Sequence, residues 1–209
     1  EISFLGVFFL GIESFLSLET LLLYYEWSGN GRYFNNLNNS NVNKLVINYF
    51  QGLDYDSLDL SGLSNLDSLE IIQSGNSYWS ITDSLNLSNN TSLSYVKLVD
   101  NYYLRTISFG NNSNLTHFIS FGNGLYSLDF SSSPTSLISL ECYTNPNLNS
   151  LNLSGASSLT TLLCPDNNIT SLNLSGTSSL NWLACQNNSI VSLDLSDSQT
   201  LTTLNCANN

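Results

Sequence analysis

Residues 159–167 read Leu-Thr-Thr-Leu-Leu-Cys-Pro-Asp-Asn, and their frame Leu159-x-x-Leu162-x-Cys164-x-x-Asn167 decides the fold because it recurs. It returns as Leu137-x-x-Leu140-x-Cys142-x-x-Asn145, Leu180-x-x-Leu183-x-Cys185-x-x-Asn188 and Leu201-x-x-Leu204-x-Cys206-x-x-Asn209. Successive cysteine positions therefore differ by 22, 21 and 21 (164 − 142, 185 − 164, 206 − 185). Toward the N-terminus the register continues with other small or apolar residues, as Leu115-x-x-Phe118-x-Ser120-x-x-Asn123 and Leu93-x-x-Val96-x-Leu98-x-x-Asn101. Leu66-x-x-Leu69-x-Ile71 and Val42-x-x-Leu45-x-Ile47 precede these at longer steps, 27 and 24 (98 − 71, 71 − 47). A fixed period of this length signals a solenoid in which each coil buries its apolar side against its neighbours.

Every coil carries a second apolar segment, such as Leu58-Asp59-Leu60, Leu85-Asn86-Leu87, Leu151-Asn152-Leu153 and Leu172-Asn173-Leu174. Alternation with period two predicts two short extended sides, with Leu and Cys inward and their neighbours outward. Mainly β structure with little helix follows. The asparagine three residues after each cysteine position (Asn145, Asn167, Asn188, Asn209) has an amide suited to bonding the backbone of adjacent turns, so a stacked structural ladder is expected beside Cys142, Cys164, Cys185 and Cys206.

The pattern from Leu93 to Asn209 resembles bacterial cell-surface leucine-rich repeats of the internalin-like type, with a cysteine in the inward ladder position. Residues Val42 to Ser88 share the resemblance weakly. It implies a right-handed leucine-rich-repeat solenoid with parallel sheets and about 21–22 residues per coil. It also implies a concave sheet that binds partners, and an extracellular or cell-surface location in adhesion or recognition. The near absence of Lys and the irregular early coils depart from the family pattern.

The chain of 209 residues is 42% hydrophobic, enough for one continuous core. Sixteen Asp and Glu against four Lys and Arg give a net charge of -12, yet only 10% of residues are charged, so the surface is mostly Ser, Asn and Thr. Such a chain has little with which to neutralise phosphates, which excludes nucleic acid as a partner and disfavours anionic membranes. Zinc ligation by close cysteine pairs is excluded too, since no Cys-x-x-Cys occurs and His117 is the only histidine. Buried, inert thiols are expected rather than a disulfide framework; the redox compartment stays open.

Residues 1–40 are expected to form an N-terminal cap or irregular first coils, and 41–209 the repeat array, continuing or making contact beyond Asn209. A signal peptide or membrane span at Glu1 to Leu23 is disfavoured, because no Met or basic segment begins it and Glu13 and Glu19 interrupt it.

Two outward faces carry the functional reading. On the first, Tyr95, Lys97, His117, Ile119, Phe121, Tyr143, Leu163 and Trp182 are expected to form an aromatic and aliphatic patch that binds a protein or glycan; packing between neighbouring strands is the competing explanation. The second reads as a carpet of Ser, Asn and Asp that keeps a regular sheet soluble or else carries glycan or mediates self-association. Asn111, Asn114, Asn168 and Asn187 are candidate glycosylation acceptors among many Asn-x-Ser/Thr triplets, which a chain of this composition generates by chance. No catalytic motif joins His117 to a nucleophile, and Asp54, Asp56 and Asp59 lack the spacing of an ion loop, so no enzyme, metal or cofactor is expected. Two readings remain: a recognition or adhesion scaffold, or a subunit of a glycosylated extracellular filament joined end to end.

Overall fold

The computed structural model describes residues 2–5, 18–25, 38–49, 58–73, 82–132 and 135–209. It is a parallel-sheet β-solenoid, and among the described residues there is no helix. One sheet of ten strands runs its length: β1 (Ile2–Leu5), β2 (Thr20–Tyr25), β3 (Lys44–Tyr49), β4 (Ser68–Gln73), β6 (Tyr95–Val99), β8 (His117–Phe121), β10 (Ser139–Tyr143), β12 (Thr161–Leu163), β14 (Trp182–Ala184) and β15 (Thr203–Asn205). The opposite side carries β5 (Ser84–Asn86), β7 (Thr106–Ser108), β9 (Ser127–Asp129), β11 (Ser150–Asn152) and β13 (Ser171–Asn173).

Register explains the constant period. Phe118 pairs with Leu140, Leu140 with Leu162, and Leu162 with Leu183, so the chain advances by 22, 22 and 21 positions per coil (140 − 118, 162 − 140, 183 − 162). The longer steps at the N-terminal side are accommodated without a slip: Leu45 pairs with Leu69 and Leu69 with Val96. A one-residue slip would turn every leucine of a strand to solvent, so the extra residues must be absorbed outside the strands. The first sheet also extends to β1 and β2, where Leu21 and Leu23 continue the inward columns and are buried.

The inward columns form one core. Leu45, Leu69, Val96, Phe118, Leu140, Leu162 and Leu183 stack at one position, and Ile47, Ile71, Leu98, Ser120 and Cys142 at the next; all are buried. Full burial of one such aliphatic side chain contributes about 1.5–3 kcal/mol, and stacking supplies it coil after coil.

The second side departs from the regular sheet its repeats suggest. It is split into a pair, β5–β7, and a triplet, β9–β11–β13, while Leu58–Leu60 and Leu193–Leu195 form no strand. The split coincides with phenylalanines in the core where other coils place Leu87, Leu153 and Leu174. Phe109 and Phe130 lie 4.8 Å apart between ring centroids, and Phe118 meets them edge-on at 5.7 and 5.3 Å. Arg105 bridges the seam: its guanidinium lies over the rings of Tyr103 and Tyr126, and its Nη1 donates to the Gly124 carbonyl at 3.3 Å.

Candidate functional site

Three outward columns run along the first sheet. The first is Lys44, Ser68, Tyr95, His117, Ser139, Thr161 and Trp182; the second is Val46, Glu70, Lys97, Ile119, Glu141, Leu163 and Ala184. The third is Asn48, Ile72, Val99, Phe121 and Tyr143. Strand neighbours lie about 4.8 Å apart, so side chains in a column touch or nearly touch.

Of the eight residues expected to share a patch, the register brings six together. Phe121 and Tyr143 pack with ring centroids 5.2 Å apart, and Ile72 and Val99 extend that column into a continuous apolar stripe. Ile119 stands beside the stripe, while Lys97 next to it, with Glu70 and Glu141 in the same column, makes the middle of the face charged. Tyr95 and His117 are neighbours on the far side. Burial first, and then the carboxylates of Glu70 and Glu141, raise the Tyr95 hydroxyl above its ordinary value, keeping it a neutral donor. His117 is exposed, and its Nδ1 pairs with Thr116 Oγ1 at 2.9 Å. Lys44 reaches Glu70 at 3.3 Å. Trp182, 48% exposed, is separated from His117 in its column by Ser139 and Thr161, and Leu163 lies between Glu141 and Ala184. These two stand apart from the other six. Neither Ile72 nor Val99 stands out in the sequence, although both face outward in the same frame.

The asparagines fix the backbone under this face. Asn145 Nδ2 donates to the Ser120 and Tyr143 carbonyls, both at 3.1 Å, and its Oδ1 accepts from Ser120 Oγ at 3.0 Å and from the Asn123 N–H at 3.2 Å. Asn167 donates to the carbonyls of Cys142 and Cys164 and accepts from the Asn145 N–H. Asn188 donates to those of Cys164 and Cys185, and Asn209 to those of Cys185 and Cys206. Each amide thus ties a coil to the one before it.

Ahead of each ladder asparagine the chain turns through a left-handed residue: Asp100, Gly122, Thr144, Asp166, Asn187 and Asn208, with φ between 56° and 65°. Four of their N–H groups donate to the next coil, Asp100 to the Phe121 carbonyl, Thr144 to that of Pro165, Asp166 to that of Gln186 and Asn187 to that of Ala207. A second ladder lies at the opposite corner, where buried Asn112 donates to the Leu87 and Asn90 carbonyls and Asn90 to those of Leu60 and Leu63. In later coils Thr177 and Ser198 hold that corner, their hydroxyls 2.9 Å apart.

All four cysteines are free thiols; Cys142, Cys164 and Cys185 are buried and Cys206 is exposed. A hydrogen bond that the Cys164 thiol donates to Cys142, and then burial, raise it well above its ordinary value. Burial, with Cys164 and Cys206 adding to it, pushes Cys185 up to about 12. These are poor nucleophiles.

The carpet on the second side is largely turn chemistry. Asp59, Asn86, Asp129, Asn152, Asn173 and Asp194 each accept, through Oδ1, the N–H of the serine two residues on. Bonds from Ser61 and Ser196 hold the Asp59 and Asp194 carboxyls below their ordinary value. Asn111, Asn114, Asn168 and Asn187 are exposed. The Asn187 amide is engaged, donating to Asp166 Oδ1 at 2.6 Å and accepting from Asn208. Among the described residues no group of three or more His, Cys, Asp or Glu is placed to hold a metal ion; Asp54 and Asp56 lie outside them. No described helix is long and apolar enough to cross a membrane.

A solved structure with the same architecture is the functional domain of InlJ from Listeria monocytogenes, described as including a cysteine ladder; it is 30% identical, with a TM-score of 0.63. The fold is internalin-like. The match covers 81% of this chain and 35% of the solved InlJ chain, so it spans about a third of that chain's length. No family model and no curated relative matches. Within the internalin-like frame the four thiols occupy a ladder position that Ser120 fills one coil earlier, its hydroxyl taken up by Asn123 and Asn145.

Proposed function

We propose that this chain is a recognition scaffold, extracellular or on a cell surface, that binds a protein or glycan through the outward face of its ten-stranded sheet. The observation carrying this reading is the stripe Ile72, Val99, Phe121 and Tyr143, a run of apolar side chains on a surface otherwise dominated by Ser, Thr and Asn. Packed aromatics flanked by Lys97, Glu141 and the neutral Tyr95 hydroxyl combine an apolar anchor with polar groups that set orientation. The likeness to the InlJ functional domain supports the scaffold; the choice of face rests on this chain's own residues.

The test is binding of the labelled chain to cell surfaces before and after treatment with protease or glycosidase. Loss after one treatment assigns the partner's class, and binding that neither treatment changes counts against a protein or glycan partner. Concentration-independent fibres in place of a dilutable monomer would favour the filament-subunit reading instead.

A further inference from the structure

Asn123 differs from the other ladder asparagines in its C-terminal neighbour. Tyr102, Pro146, Asn168 and Ser189 come after Asn101, Asn145, Asn167 and Asn188, but Gly124 comes after Asn123. Glycine is required there: a Cβ on Gly124 would collide with the Tyr102 carbonyl oxygen and lie 2.7 Å from Arg105 Nη1. Packing at the Arg105 seam therefore forces an Asn-Gly pair into a buried rung. In such a pair the following backbone nitrogen reaches the side-chain amide most easily, because no Cβ obstructs ring closure.

We propose that Asn123 is a spontaneous deamidation site, closed while its coil is folded and opened when that coil unfolds. Gly124 N bonds to Asn123 Cγ, the Cγ–Nδ2 bond breaks, and the nitrogen leaves as ammonia with the proton that Gly124 N gives up. Water then opens the resulting cyclic imide at either carbonyl, leaving aspartate or isoaspartate. No electrons are transferred, and water is the only co-reactant.

The fold blocks the first step from both ends. Asn123 Nδ2 donates to the Leu98 carbonyl at 2.8 Å and Ser120 Oγ at 2.9 Å, and Oδ1 accepts from the Asn101 N–H at 2.9 Å. The attacking Gly124 N is tied to the Asn101 carbonyl at 3.4 Å, and both residues are buried. Reaction thus requires opening of the rung, and its rate follows the population of opened coils. The product cannot return to its place: a carboxylate has no N–H for the Leu98 carbonyl and Ser120 Oγ, and isoaspartate lengthens the backbone of a coil whose register is set. Deamidation makes unfolding of this coil irreversible.

The whole chain is incubated in mildly alkaline buffer, folded and in urea, and conversion at Asn123 is followed by peptide mapping and mass spectrometry, resolved from the Asn30-Gly31 pair, which lies outside the described residues. Conversion at Asn123 should be slower by about a hundredfold or more in the folded chain than in urea. After dilution from urea, unconverted chains should refold and converted chains should not. Equal rates in the two states, no conversion in urea, or recovery of full stability by converted chains would each overturn the proposal.

Discussion

Replacing Asn145 with alanine removes four hydrogen bonds from a fully buried rung, two donated to the carbonyls of Ser120 and Tyr143 and two accepted from Ser120 Oγ and the Asn123 N–H. Each intramolecular bond contributes about 0.5–1.5 kcal/mol net, and a buried donor left without a partner costs about 1–3 kcal/mol more. Ser120 Oγ keeps its bond from Asn123 Nδ2, so the Asn123 N–H is the principal orphan. Together these give a loss of about 3 kcal/mol at the low end of both ranges and more above it, with no change in the surface exposed on unfolding. Asn209 makes the same kind of bonds but is exposed, and water replaces its partners; alanine there should cost about 1 kcal/mol. Urea unfolding followed by circular dichroism measures both, the slope serving as a check that the same cooperative unit unfolds. An Asn145→Ala loss no larger than that of Asn209→Ala would refute the view that the buried ladder holds the coils together.

The same geometry has other measurable consequences. Thr144, a β-branched residue at φ 56°, sits in a column otherwise filled by Asp, Asn and Gly, so Thr144→Gly should raise stability by about 1 kcal/mol in urea unfolding, while Gly122→Ala should lower it because alanine is strained at φ 65° and its Cβ would also displace the Asp100 carboxylate. In the folded chain a thiol reagent should modify Cys206 rapidly and leave Cys142, Cys164 and Cys185 untouched until urea is added; rapid loss of all four thiols would contradict their burial. Asp59 and Asp194 have lowered folded values, so they contribute stability that is present above the ordinary carboxylate range and lost as pH falls through those lowered values. Asn fills the same turn at positions 86, 152 and 173, so the Asp59→Asn, Asp194→Asn double variant should keep the fold and show a shallower loss of stability in acid. Asp100, raised by burial, works the other way, its folded form binding a proton more readily and stability falling as pH rises through its range.

Much of the fold is legible in the sequence because a solenoid repeats its constraints. Leu, Leu, Cys and Asn at fixed offsets specify inward columns and a ladder, and the register holds even across the longer steps of the N-terminal coils. Strand β2 carries the same signal in Leu18-x-x-Leu21-x-Leu23, which is masked because the run is continuous with apolar neighbours and lacks an asparagine three residues on. The left-handed column is hidden, since Thr144 and Asp100 do not announce that conformation as Gly122 does. The Asx turns are written in the Asp/Asn-x-Ser spacing, but in a chain so rich in these residues they pass for a merely solubilising carpet. For the outward face, alternation tells which residues point to solvent, whereas contiguity depends on which column each occupies; that separates Trp182 from His117 and adds Ile72 and Val99 to the stripe.

Whether the apolar stripe is the recognition surface is tested most directly by comparing surface binding of the unaltered chain, a Phe121→Ser, Tyr143→Ser variant and a Ser150→Glu, Ser171→Glu variant of the second side. Aromatic anchors at interfaces contribute about 2 kcal/mol or more, so the stripe variant should bind at least about thirtyfold more weakly while the second-side variant binds normally. Unchanged binding by the stripe variant, with loss in the second-side variant, would contradict the account and move the recognition surface to the opposite face.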